Sequence, residues 1–234
     1  MSEFRNACNS VKVGGYVAYQ PSMERFSVDY WKTGVYDTQV FYPSKELNWR
    51  VYKKEDGRIE LVSAESVGDL CIGGEIGYAK LGKTLNELCR AYVNPEWAED
   101  ACSIGYTSEC VEEIRTPIMW QDIAKLENPF PYVDMLHKGE VDYIRRKKLY
   151  HSFGRVWLPT RNVHKHKKYI SLRAGCLAAS GKVSECVLYF KNNTTERLEK
   201  ACVCGVRPRI LLKKGLFLES GLGTKEEPYR FGML

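Results

Sequence analysis

The last third of the chain, Gly154 to Leu212, constrains the fold most. It reads as four short strands, Arg155–Pro159, Tyr169–Cys176, Val183–Phe190 and Val203–Leu212, rich in β-branched, aromatic and aliphatic residues. Ser180-Gly181 supplies a turn between the second and third, and Asn192–Lys200 a polar connection before the fourth. Pro159 cannot donate to a ladder, so it belongs at a strand edge or end. Arg207, ahead of Pro208 in a hydrophobic strand, is costly unless its guanidinium is bonded inside the fold.

The rest of the chain adds mixed elements. Val11–Tyr19 alternates around a Gly pair and reads as a strand. Trp49–Lys54 and Arg58–Ser63 alternate on either side of Glu55-Asp56-Gly57, a hairpin signal because the turn demands positive φ. Leu70–Gly77 reads as a loop or bent strand. Its Gly73-Gly74-Glu75-Ile76-Gly77 mimics a phosphate-binding turn but lacks the P-loop Lys and the full dinucleotide spacing, so it reads as a plain turn. Tyr78–Tyr92 predicts a helix, with Leu81, Leu85, Leu88, Cys89 and Tyr92 on one face. Further helical turns are expected at Glu96–Ala101, from Thr107 or Ser108 to Ile114, and at Ile118–Leu126 after Pro117. Phe26–Tyr42 is a long aromatic stretch that either covers the sheet or forms a contact surface. The fold class is α+β: a twisted antiparallel sheet with a few packed helices.

At 234 residues with 44% hydrophobic content the chain can bury a core without disulfide support. Nine cysteines, an odd number without a staple pattern, and an N-terminus without an apolar stretch read as free thiols in a reducing cytosol. No run is long and apolar enough for a membrane helix, so no membrane partner is expected. The net charge of +6 suits an acidic partner but falls short of a nucleic-acid binder's, so nucleic acid is an option but not the favoured partner. Much of the excess lies in Arg145–Lys148 and in His164-Lys165-His166-Lys167-Lys168. Those runs read as solvated loops, or as a basic rim for an acidic partner.

Candidate chemistry is sparse. Cys202-Val203-Cys204 places two thiols on one face of a strand, but metal sites need further ligands and no partner is legible at a defined spacing. Buried free thiols are the plainer reading. The His164-x-His166 pair sits among lysines that repel cations. No nucleophile, base and orienter share a recognisable local motif. Neither a catalytic residue, a metal ligand set nor a cofactor site is assigned, and the chain is not expected to be an enzyme.

Seven segments occur in an order that resembles a known domain family: Val11–Tyr19, Leu47–Val51, Ile59–Ala64, Leu85–Cys89, Trp157-Leu158-Pro159-Thr160-Arg161, Gly205-Val206-Arg207-Pro208, and Gly221–Thr224 running on to Pro228-Tyr229. The family is a poorly characterised one of Firmicutes and their phages, similar in architecture to the C-type-lectin-like and formylglycine-generating-enzyme-like fold. The resemblance implies a single C-type-lectin-like domain over about residues 11–231 with paired N- and C-terminal strands. Residues 1–10 are then a disordered N-terminus and 116–150 a candidate helical insertion. It implies a ligand face built from loops of the last third, and no general activity. Relatives that make formylglycine bind copper through a cysteine pair near the chain end, a role not carried over to Cys202 and Cys204.

The expectation is therefore a non-enzymatic binding module, phage or mobile-element encoded, cytoplasmic in the host cell or part of a virion. Its partner would be a host protein or surface receptor. The expected contact residues are Arg161, His164, Lys165, His166, Lys167 and Lys168, with Trp31 and Tyr36 from the aromatic stretch. The alternatives are an inhibitor of a host defence nuclease or nucleic-acid-associated complex, and a Cys-dependent metalloenzyme of the formylglycine-generating type.

Overall fold

The computed structural model describes residues 7–32, 35–43, 46–106, 143, 147, 154–179, 181–192 and 197–233. The predicted helices between 107 and 126 lie outside these residues. So do Ser180 of the predicted turn, all of the candidate insertion except Tyr143 and Lys147, and all of the Arg145–Lys148 run except Lys147.

Along the chain the elements begin with α1 (Ala7–Ser10), β1 (Tyr16–Val17), β2 (Phe26–Lys32), β3 (Val35–Phe41), β4 (Trp49–Glu55), β5 (Arg58–Ser63) and β6 (Asp69–Gly73). Then come the long helix α2 (Gly74–Arg90), β7 (Ala98–Ser103), β8 (Arg155–His166), β9 (Tyr169–Ala178) and β10 (Val183–Asn192). The last are β11 (Arg197–Glu199), β12 (Ala201–Gly205), β13 (Pro208–Leu212), β14 (Leu216–Ser220) and β15 (Arg230–Met233). One sheet has the order β1-β4-β5-β13-β7, a second has β11-β10-β9-β8-β12-β6, and β2-β3 and β14-β15 form separate two-stranded pairs. The pairing is antiparallel apart from one β8–β12 register pair and a Val17–Tyr229 bridge. The class is thus α+β, dominated by antiparallel sheet. The chain's two ends meet at that bridge, where Tyr229 N–H donates to Tyr16 O at 2.8 Å and Ala18 N–H to Tyr229 O at 2.9 Å.

Helix α2 lies against both large sheets, and Leu81, Leu85, Leu88 and Cys89 are fully buried as their spacing requires. It begins earlier than periodicity indicates: Gly74 to Gly77 form its first turn rather than a loop. Gly77 carries no side chain because a Cβ there would sit 3.1 Å from Trp31 O, so the glycine lets β2 approach the helix. The Asp56-Gly57 hairpin forms as its sequence demands, with φ of 51° and 74°.

Four local expectations are corrected. Of the expected strand Val11–Tyr19 only Tyr16–Val17 is strand, and a turn precedes it. Glu96–Ala101 is not a helical turn. Asn94 Oδ1 accepts from Glu96 N–H at 3.0 Å, and the chain then extends as β7 to pair with β13. Tertiary pairing overrides local propensity there. Ala7–Ser10 is a helical turn with Ala7 buried, where the N-terminus reads as disordered. The fourth strand is two. Val203–Gly205 lies in β12 of the second sheet, and after Val206-Arg207 the chain crosses into β13 of the first.

Arg207 holds that crossing. It is 1% exposed, and its Nε and Nη2 donate to Ser63 O at 2.9 and 2.5 Å. Desolvation pulls its pKa down to about 10, so it stays charged at neutral pH.

Candidate functional site

Strands β8, β9 and β10 form a long ribbon. Its period-two alternation sorts side chains onto a covered and an outer face. Pro159 falls inside β8, at the irregularity between Trp157 and Arg161 where the ladder with β9 shifts, and this is how a proline is tolerated there. Trp157 anchors the covered face by donating from Nε1 to Leu70 O at 2.8 Å.

Arg161 points the same way. It is 2% exposed, donates from Nη1 to Ala79 O at 2.5 Å and lies over the Tyr78 ring at 5.9 Å. It ties the ribbon to α2 and is not part of a displayed surface, which corrects its place among the contact residues. Asn162 to His166 likewise belong to β8 and not to a loop; only Lys167 and Lys168 form the turn.

The alternation places Asn162, His164 and His166 on the other face, where Asn162 is buried, His164 half-buried and His166 exposed. They meet Arg173, Ser171 and Tyr169 of β9, with Glu185 and Phe190 of β10 beyond. Glu185 is the hub at one end. Its Oε1 accepts from Asn162 Nδ2 at 2.9 Å, and its Oε2 lies 3.2 Å from His164 Nε2 and 3.3 Å from Arg173 Nη1. Toward the turn the face becomes aromatic. His166 stacks on Tyr169 with centroids 5.2 Å apart, Tyr169 lies 5.4 Å from Phe190, and Leu198 of β11, 48% exposed, pairs with Phe190. Lys165 lies between the two histidines in the register, opposite Ile170.

No family model, curated protein or solved structure matches this chain. Function therefore rests on geometry.

Trp31 and Tyr36 sit apart, on the β2–β3 hairpin packed against α2 and β6. They are edge-to-face at 5.4 Å, with Lys80 Nζ 5.8 Å from the Trp31 ring centroid. Tyr36 is exposed, whereas Tyr30 and Phe41 of the same hairpin are buried. The aromatic stretch thus serves both as cover and as surface. A cleft of about 220 Å³ lined by Val17, Tyr19, Trp97, Leu212, Arg230 and Phe231 lies elsewhere, where the chain ends meet.

The covered face holds a second constellation. Cys176 of β9, Cys186 of β10 and Cys204 of β12 are buried, with all three Sγ atoms within 4.8 Å of one another. Cys176 and Cys186 are 3.8 Å apart, and Cys176 Sγ is 3.1 Å from Ser184 Oγ. Cys202 lies beside Cys186, with its Sγ 3.9 Å from Val187 O. The thiols titrate as a group. Contact with Cys186 pulls the Cys176 thiol down, the same contact pushes Cys186 up, and Cys202 falls to about 7 through its contact with Cys186. Cys202 and Cys204 do share a strand, as the C-x-C spacing requires. Cys176 and Cys186 were not legible as their partners, because register between strands is absent from local spacing. Tyr169, Phe190 and Glu185 escaped for the same reason; alternation along Val183–Phe190 was the available signal.

Proposed function

We propose that this chain is a non-enzymatic binding module on a C-type-lectin-like scaffold, phage or mobile-element encoded. It offers the outer face of the β8–β11 ribbon to a host protein or surface receptor. The observation that carries this reading is the aromatic strip His166, Tyr169 and Phe190, continued by Leu198 and running into the Glu185 hub on one face. Aromatic side chains give large, rigid contact area at low entropic cost, and a polar cluster beside them fixes orientation. Lys167 and Lys168 at the turn form a basic rim suited to an acidic partner. Two features agree with the scaffold that the sequence resemblance implies: the terminal bridge, and a helix packed on antiparallel sheet. Among the described residues no helix is long and apolar enough to cross a membrane. The host cytoplasm or the virion is the compartment this reading gives.

Co-precipitation from host extract tests it, comparing wild-type protein with a Tyr169→Ser/Phe190→Ser variant of equal thermal stability. The expected result is one specific protein partner whose recovery falls roughly tenfold or more with the variant. Equal recovery by both forms contradicts the assignment of this face. Capture of nucleic acid alone, weakening steeply with salt, would replace the protein partner by a phosphate-bearing one.

A further inference from the structure

We propose that Cys176, Cys186 and Cys204, with Cys202 as fourth ligand, form a closed structural zinc site that clamps β12 onto the β9–β10 ribbon. Buried cysteines often act as small hydrophobic side chains. This group is different because its members face one another: three sulfurs from three strands lie within 4.8 Å. Two thiolates on one tetrahedral ion with bonds of about 2.3 Å stand about 3.8 Å apart. Cys176 and Cys186 stand at 3.8 Å. All three sulfurs lying within 4.8 Å suits a single ion, since cysteines on different metals of a polynuclear cluster stand farther apart.

The ligand type selects the metal class. An all-thiolate set, with Cys176, Cys186 and Cys204 buried and Cys202 partly buried, favours zinc over oxygen-seeking magnesium or calcium. Charge is also accounted for. Four thiolates around a divalent cation leave net negative charge, and the Arg155 guanidinium is placed to offset part of it at all four cysteines. Ser184 Oγ, 3.1 Å from Cys176 Sγ, supplies a hydrogen-bond donor to the ligand sulfur. On binding, each ligating thiol releases its proton to solvent.

Topology gives the site a purpose. β12 joins β8 through one register pair, Gly205–Val156, yet it and β6 complete the second sheet. An ion shared by Cys204, Cys202, Cys186 and Cys176 ties β12 across to β10 and β9. It would fix the strand from which the chain crosses into the first sheet. This inference is independent of the binding role of the outer face, since the thiols lie on the opposite side of the ribbon.

The test uses untagged full-length protein produced with added zinc and purified under reducing conditions. Elemental analysis is expected to give about one zinc per chain. A mercurial that blocks thiols should release it. Exchange with cobalt should produce an intense near-ultraviolet thiolate-to-cobalt band, and chelation should lower Tm on the order of 10 °C. A Cys176→Ser/Cys186→Ser variant should lose the metal, and a Cys102→Ser control should keep it. The cobalt spectrum and mercurial release need only wild-type protein, so a variant that fails to fold leaves the test intact. Absence of zinc, a Cys176–Cys186 disulfide in the reduced preparation, copper in place of zinc, or zinc retained in the double variant would overturn the proposal.

Discussion

Two guanidiniums in the core bind backbone carbonyls, and each joins elements distant in sequence. Arg161 fastens the ribbon to α2 through Ala79 O, and Arg207 fastens the sheet crossing to β5 through Ser63 O. A charged donor to a buried carbonyl contributes about 1.5–3 kcal/mol, and its removal also leaves the acceptor unsatisfied. Arg207→Ala is expected to cost about 3 kcal/mol in urea unfolding and to lower Tm by roughly 6–12 °C. A change within about 0.5 kcal/mol, the range of an ordinary surface substitution, would show that the crossing does not depend on this residue. The sequence called for an internal partner for Arg207 because a charge in an apolar strand has no cheap alternative. It gave no such warning for Arg161, which lies in a stretch rich in polar and basic residues. Only the pairing with β9, opposite Ala174, turns that side chain inward.

The β2–β3 hairpin carries two carboxyls whose ionised form the fold favours. The Asp29 carboxyl is held below its ordinary 3.8 by hydrogen bonds from the Tyr36 and then the Thr38 hydroxyls. Asp37 is held low chiefly by the Tyr30 hydroxyl, 2.9 Å away. A folded-state pKa below the unfolded one means that the fold favours the carboxylate. The contribution is therefore present above about pH 4 and is lost as pH falls through the folded values. An Asp29→Asn/Asp37→Asn variant should be less stable than wild type at neutral pH, and the gap should be smaller at acid pH, below the ordinary carboxylate range. Denaturant unfolding at the two pH values reads this directly, and a gap that does not change with pH would contradict it. Elements were legible where the cause is local. The Asp56-Gly57 turn follows from its need for positive φ, and α2 from the repeat of Leu81, Leu85 and Leu88. Strand β7 was not legible, because Ala98, Glu99 and Asp100 suit a helix in isolation and become a strand only beside β13.

For the molecule as a whole, one ribbon separates two kinds of chemistry. Its covered face gathers thiols, Trp157 and Arg161 against the core; its outer face carries the Glu185 hub and the His166–Tyr169–Phe190 strip. The importance of the last third was readable from its strand pattern, and the basic turn at Lys167–Lys168 from composition. Which residues share a face was not, because a bulge between Val187 and Tyr189 and the irregularity around Pro159 reset the alternation. The claim that recognition occurs on the outer face is tested most directly by site-specific photo-crosslinking in host extract. A photoreactive phenylalanine analogue would replace Tyr169 in one protein and Lys83, on the exposed side of α2, in another. The proposed outer-face recognition predicts one discrete adduct from position 169 and none from position 83. Adducts of equal yield from both positions, or from position 83 alone, would contradict it.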